Sequence, residues 1–164
     1  MKSQFIRCYR LFRTGAESLQ SPLRLLVRLY WGWQLAQTGW GKLQHIPRVT
    51  GFFSQLGIPF AHFTAIWIAL LEFVGGILLA IGLVSRPIAL LLAVDMIVAY
   101  IAADRDALKS VFSDPGKFYG ADPFTFLAVS LLILIFGPGR FALDSLIEKR
   151  RARCEIQVPI AGPR

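Results

Sequence analysis

The chain has 164 residues, of which 55% are hydrophobic and only 17% are charged, and its formal net charge is +8. A water-soluble domain of this length carries more charge, so the composition argues against one. The basic residues lie mainly outside long apolar runs, as in membrane proteins, which argues against a nucleic-acid partner. We therefore predict an all-α integral membrane protein whose first partner is the lipid bilayer.

Four segments approach the roughly 20 helical residues needed to cross a bilayer. We predict spans at about 25–43, 63–84, 87–103 and 124–143. Only Ser85 and Arg86 separate the second span from the third, so these two form an antiparallel hairpin. The fourth continues through a Gly-Pro-Gly step at 137–139, which is able to bend or end a helix. The spans predict a four-helix bundle in residues 23–144.

Lysine and arginine are unevenly distributed between the two sides that these spans define. With the N-terminus inside, twelve lie on the cytoplasmic side and five outside, which favours both termini in the cytoplasm. Residues 1–22 form a basic amphipathic segment, predicted either as a helix on the inner surface or as a frayed tail.

The segments outside the spans have polar or basic character. Residues 145–164 form a basic cytoplasmic tail, in which 158–164 are expected to be disordered. On the outer side, residues 49–60 predict a small interfacial helix ended by Gly57, and residues 104–122 predict a polar loop rich in turn residues. These segments connect or flank the bundle and carry no catalytic motif.

Glu72 and Asp95 interrupt the second and third spans with a negative charge. A charged side chain at the centre of a spanning helix costs roughly 2.5 to 3.5 kcal/mol. The helical rise puts both acids at nearly one level, which Gln34 of the first span shares. Either these groups line a buried site for a ligand or protons, or they hydrogen-bond between helices and fix the packing. We favour the first interpretation for Glu72 and the second for Asp95.

The first span is the most polar of the four, with Arg28, Gln34, Gln37 and Lys42 among its apolar residues. Arg28 lies closer to the cytoplasm than the two acids, and Lys42 lies near the outer edge. A cation therefore stands on each side of the acids. The reach of an arginine side chain along the helix axis makes Arg28 a candidate partner for either acid.

Small residues form one face of the second span. They are Ala65, Ala69, Gly75 and Gly76. Because small residues let helices approach closely in lipid, we assign this face to helix packing rather than to cofactor binding. Close packing here would also hold Glu72 in place.

His45 and His62 fall at the outer ends of the first two spans, on the same side of the membrane. A haem within the bilayer needs histidines at depth, and no cysteine or acidic ligand pattern accompanies these two, so we predict no metal site. The sequence also has no phosphate-binding loop and no dinucleotide fingerprint. We expect no intrinsic cofactor.

Four short motifs follow one another along the chain. They are Gly39, Gly41, Lys42 and Leu43, then Phe53–Pro59 (FSQLGIP), Leu71–Gly76 (LEFVGG) and Gly137–Asp144 (GPGRFALD). Their order and spacing resemble the DoxX family of small four-helix bacterial membrane proteins, which is related to the small DoxD subunit of a thiosulfate:quinone oxidoreductase. The resemblance implies a multi-pass subunit of a bacterial-type inner (plasma) membrane, associated with redox or sulfur metabolism.

In that setting the buried polar residues are candidates for a site that binds quinone or relays protons. They are Arg28, Gln34, Gln37, Lys42, Glu72 and Asp95. A quinone head needs hydrogen-bond donors and a proton source, which a cation, an amide and a protonated carboxyl supply. Electron transfer then needs a redox partner protein.

Two alternatives draw on the same residues. One is a non-catalytic structural or assembly subunit, in which the acids only lock the bundle. The other is a small proton-coupled transporter, although the paired interrupted helices of repeat-built transporters are missing from the sequence. The sequence leaves open whether the chain is itself an enzyme and whether it forms homo-oligomers.

Overall fold

The computed structural model describes residues 2–155, and within that range the chain forms eight α-helices and no β-strand. The helices are α1 (Lys2–Gln44), α2 (Ile46–Gln55), α3 (Ala61–Ile81), α4 (Ser85–Ala102), α5 (Arg105–Lys109), α6 (Pro115–Tyr119), α7 (Asp122–Phe136) and α8 (Leu143–Glu155). The predicted all-α class is confirmed over these residues. The segment 158–164, predicted to be disordered, lies outside the described residues.

Two helices are long and apolar enough to cross a membrane by length and composition, namely α3 with 21 residues and α4 with 18. The apolar helix α7 has only 15 residues, or about 22 Å of rise. It ends at Phe136 rather than continuing to residue 143 as predicted. The cause is Gly137, whose φ of 75° leaves the helical region, followed by Pro138.

Helix α1 runs without a break through the predicted basic segment and the predicted first span, and Pro22 lies inside it. The side chains of residues 9–20 are all exposed, whereas the second half of α1 packs along α3. The short helix α2 begins and ends earlier than the interfacial helix predicted at 49–60. The predicted loop 104–122 contains the short helices α5 and α6.

Glycines bring the backbones of α1 and α3 into contact in an antiparallel arrangement. A Cβ atom added to Gly39 would lie 2.8 Å from the Ala69 carbonyl oxygen, and one added to Gly76 would lie 2.6 Å from the Ala36 nitrogen. A further Cβ on Gly32 would lie 2.8 Å from the Gly76 oxygen. No methyl group fits at such distances, so the three glycines set the separation of the two helices.

The other faces of α3 and α4 build the apolar core. Gly75 faces α4, where an added Cβ would meet the Leu92 side chain at 3.4 Å. The buried core side chains are Leu35, Leu79, Ala89, Leu92, Met96, Val129 and Ile133. Helix α7 packs on α4, so α1, α3, α4 and α7 follow one another as packed neighbours. Ala65 and Ala69 are fully buried on α3.

The glycine contact predicts a difference between two substitutions in the same stretch of α1. Gly39→Ala should lower the free energy of unfolding by about 1 to 3 kcal/mol, because the new methyl group meets the α3 backbone. Gly41→Ala adds its methyl group to open space, since nothing lies within 4 Å. It should leave stability unchanged or raise it by up to about 1 kcal/mol. Thermal unfolding in detergent measures both, and equal midpoints would contradict the close contact.

Candidate functional site

A cavity of about 620 Å³ opens between α1, α2, α3, α4 and the start of α7. Most of its wall is apolar, with Ile68, Met96 and Phe126 among the lining residues. Two charged side chains enter from the first two long helices, Lys42 from the last turn of α1 and Glu72 from the middle of α3. Asp95 of α4 lines the same cavity. The fold therefore brings together three of the six predicted site residues.

Lys42 and Glu72 form an ion pair across the α1–α3 contact. The Lys42 Nζ donates to Glu72 Oε1 at 2.6 Å, which is a short, charge-assisted hydrogen bond. The Glu72 side chain is 2% exposed and that of Lys42 is 31% exposed. The pair thus joins a buried carboxylate to a cation that reaches the cavity opening.

Two buried carboxyl oxygens at the cavity have no hydrogen-bond partner among the described residues, Glu72 Oε2 and Asp95 Oδ2. Asp95 is 9% exposed, so neither group is simply solvated by bulk water. Buried polar atoms in folded proteins are nearly always paired. Two such atoms on one cavity are each available to bind a polar molecule or a proton.

Helix α2 forms a wall of the cavity that sequence analysis did not assign to the site. Phe53 is buried in this wall, and Arg48 lines the cavity where it opens to the surface. Asp104 and Asp122 line the cavity from the segment after α4 and the start of α7. The amphipathic pattern of α2 is the signal that could have placed Phe53 over the bundle.

Gln34 and Gln37, also predicted for the site, do not line the cavity. Gln34 is half-buried, and its Nε2 donates to the Tyr30 hydroxyl at 3.3 Å. Gln37 is exposed. Thr38 takes the place expected for Gln34, because it lines the cavity while its Oγ1 donates to the Gln34 carbonyl at 3.0 Å.

Arg28 lies at the opposite end of the bundle and pairs with neither Glu72 nor Asp95. Its side chain is 1% exposed, and Nη1 donates to the Pro138 carbonyl at 2.6 Å. Nη2 lies 3.4 Å from the carbonyl oxygens of Ala80 and Phe141. The end of α7 at Phe136 leaves loop carbonyls that need donors, and Arg28 supplies them.

Asp144 connects the same end to the α3–α4 hairpin. Its two carboxylate oxygens accept from the backbone N–H groups of Val84 at 2.7 Å and Ser85 at 2.8 Å, at the start of α4. Its own N–H donates to the Gly82 carbonyl at 3.0 Å. Gly82 has a φ of 74°, and an added Cβ would lie 2.6 Å from Arg28 Nη1. We call these residues the inner network.

The two histidines have local partners. His45 Nδ1 lies 3.0 Å from the Gly41 carbonyl oxygen, and His62 Nδ1 lies 3.4 Å from Thr50 Oγ1. Within residues 2–155, histidine, cysteine and acidic side chains form no group of three or more that could hold a metal ion.

The apolar helices and the cavity lined by charged side chains are typical of a helical membrane protein with an internal polar site. The chain belongs to the DoxX family, whose model matches residues 23–105. That range includes Lys42, Glu72 and Asp95.

Two curated relatives support this assignment. An uncharacterized membrane protein of Mycobacterium tuberculosis, Rv3486, is 33% identical over 145 residues, covering 81% of this chain and 86% of that protein. A Bacillus subtilis protein named "Putative oxidoreductase CatD" is 30% identical over 125 residues, covering 76% of this chain and 87% of its own length. No solved structure matches the chain significantly.

The carboxylate of Asp144 in the inner network makes the free energy of unfolding depend on pH. Burial alone would raise the pKa of Asp144. The hydrogen bonds from the Ser85 and Val84 N–H groups and the Arg28 charge together lower it by more, so the pKa lies below its usual range. The carboxylate therefore stabilises the fold fully above its unfolded pKa of about 3.9, and this contribution is lost as the pH falls through the lower folded value. Asp144→Asn should lower the free energy of unfolding by about 0.5 to 2 kcal/mol at pH 7. The variant should also lose less stability than the wild type when the pH falls below about 4.

Thermal unfolding from pH 7 to pH 3 measures this effect, with Asp106→Asn as the matched control. Asp106 is exposed on α5, and its carboxylate accepts no hydrogen bond among the described contacts. An acid profile of Asp144→Asn that coincides with the wild-type profile would contradict the role of the carboxylate.

The ion pair makes a second prediction, tested by a double-mutant cycle. Lys42→Met leaves the Glu72 charge buried without its partner and should destabilise the protein by up to about 3 kcal/mol, reduced because Lys42 is partly exposed. Lys42→Met combined with Glu72→Leu should recover most of that loss. Lys117→Met, an exposed lysine on α6, is the control. Strictly additive effects of the two substitutions in chemical unfolding would refute the pairing.

Proposed function

We propose that this chain is a four-span subunit of a bacterial-type inner membrane, with both termini in the cytoplasm, whose cavity binds a quinone head and relays protons for a redox partner. The observation that carries the proposal is the Lys42–Glu72 pair beside Asp95 in one largely apolar cavity. The topology is supported by the two long apolar helices, by the shorter apolar α7 and by the distribution of basic residues.

The cavity suits a quinone head in size and in chemistry. Its volume of about 620 Å³ lies in the range of small-molecule sites, and a largely apolar wall with a few polar groups is the usual composition of such sites. The Lys42 ammonium is a hydrogen-bond donor for a carbonyl oxygen, and a protonated Asp95 carboxyl is a second donor. Glu72 holds Lys42 at the cavity and retains Oε2 as a free acceptor.

Quinone reduction takes up two electrons and two protons at the two carbonyl oxygens, and quinol oxidation releases them. Asp95 is suited to hold and pass a proton, since its buried Oδ2 has no protein partner among the described contacts. Glu72 keeps the ammonium in position during proton exchange. The electrons come from a partner protein, because no dithiol or cofactor motif in the sequence supplies them.

The proposed proton exchange faces the outer side of the membrane. Arg48 and Asp122 are exposed residues of the cavity lining, at the end of the bundle opposite the inner network. At the other end, Arg28 is 1% exposed and Ser85 is 0% exposed within the inner network. A proton on Asp95 therefore has a shorter polar route to the outer surface than to the cytoplasm.

One relative supports a redox role, whereas one feature of the structure supports an alternative role. The Bacillus subtilis relative carries the name of an oxidoreductase, which favours a redox role here. The ion pair between α1 and α3 favours the rival, a structural or assembly subunit in which the same charges only join helices. The two proposals differ in whether the cavity has an occupant.

Quinone content tests the proposal. Protein purified in native lipid should carry bound quinone, measured by mass spectrometry, and Asp95→Asn and Glu72→Gln should each reduce it by about tenfold or more, since each removes a charge or proton from the site. Ala99→Phe fills the cavity from the α4 wall without changing charge and should act likewise. Asp106→Asn, outside the cavity, is the control.

The structural rival predicts a different pattern. It expects background quinone in the wild type and in all variants, together with unchanged recovery of any partner complex. Background quinone in wild-type protein, or quinone retained in full by Ala99→Phe, would overturn the proposal.

A further inference from the structure

A second, larger pocket of about 1090 Å³ lies at the inner end of the bundle, between α1, the start of α4 and the connection from α7 to α8. Three arginines line it: Arg24, Arg86 and Arg140. Two acids line it as well, Glu17 and Glu148, but Glu17 is already paired with Arg13 at 2.8 Å. The pocket therefore carries a net positive charge.

The arginines are positioned to leave donors available. Arg24 is half-buried. Its Nη1 donates to the Phe136 carbonyl at 3.1 Å and its Nη2 donates to Gln20 Oε1 at 2.9 Å, which fixes the side chain at the end of α7. The Arg86 guanidinium lies over Gly137, where an added Cβ would be 3.4 Å from Nη2. Among the described residues, neither Arg86 nor Arg140 forms an ion pair. Two exposed guanidinium groups thus flank one anchored group.

An apolar groove continues from this pocket along the outside of the bundle. The groove has a volume of about 240 Å³ and lies between α1 and α7, which make few contacts with each other. Leu23, Val27 and Leu132 line it. It shares Arg24 and Phe136 with the arginine-lined pocket, so the basic and apolar parts form one continuous surface.

We propose that this surface binds one anionic phospholipid, with its phosphate at Arg24, Arg86 and Arg140 and an acyl chain in the groove between α1 and α7. The charge selects an anionic head, because basic pockets at the cytoplasmic end of membrane helices attract anionic lipid. The groove selects a ligand with a hydrocarbon chain. The lipid fills the space between two neighbouring helices of the bundle that make few contacts with each other. This inference rests on the proposed topology, which places this end of the bundle at the cytoplasmic side, and it does not depend on quinone binding.

Lipid titration followed by native mass spectrometry tests this inference on the full chain in detergent. Dioleoylphosphatidylglycerol should bind as a single retained molecule and more tightly than dioleoylphosphatidylcholine. Arg86→Gln with Arg140→Gln should weaken phosphatidylglycerol binding by about thirtyfold, from the loss of two guanidinium charges, and leave phosphatidylcholine binding unchanged. Lys109→Gln with Lys117→Gln removes two exposed cations on α5 and α6 that line neither surface. This charge-matched control should bind as the wild type does.

Two further measurements separate the head group from the acyl chain. Leu23→Trp, at a position 61% exposed, narrows the groove without disturbing the core and should weaken binding of both lipids. Glycerol 3-phosphate, which has the charge but no chain, should fail to displace the lipid at millimolar concentration. Equal binding of the two lipids by the wild type, an unaffected double arginine variant, an unaffected Leu23→Trp variant or displacement by glycerol 3-phosphate would each overturn the proposal.

Discussion

A carboxylate inside an apolar helix needs a counter-charge or a proton, and the rest of this structure is arranged around that requirement at Glu72. The Lys42 ammonium meets it at 2.6 Å. Such a contact is only formed if α1 and α3 lie close enough for a lysine near the end of one helix to reach the middle of the other. The pair therefore depends on helix separation as much as on charge.

Helix separation is set by the glycines of the α1–α3 contact. Gly39 lies one turn before Lys42, and Gly76 lies one turn after Glu72. Because the two helices are antiparallel, both close backbone contacts lie beside the ion pair, toward the Arg28 end of the bundle. The motif residues Gly39 and Lys42 thus act together, as do Glu72 and Gly76. The inner network has a different task, since Arg28 and Asp144 join loops rather than line the cavity. Hydrogen bonds of Arg28 and Asp144 join the loops at one end of the bundle, and the cavity lies at the other end.

Much of this arrangement follows from local sequence. The apolar runs predict α3 and α4, and a lone charge within such a run marks Glu72 and Asp95 for attention. The partner of Arg28 could not be predicted in this way, because it depends on the Pro138 carbonyl, 110 residues further along the chain. The α2 wall was missed because a short amphipathic helix gives no information about which part of the bundle it covers. Gln34 shows that a correct depth along a helix does not establish the direction of a side chain.

Solid-state NMR of the protein in lipid bilayers tests the central claim most directly, by measuring the dipolar coupling between ¹⁵N of Lys42 Nζ and ¹³C of Glu72 Cδ. The account predicts a strong coupling, as expected of a 2.6 Å contact between Nζ and Oε1, and a shift of both resonances when a short-chain benzoquinone is added. A coupling too weak to detect, or resonances that do not respond to the benzoquinone, would contradict it.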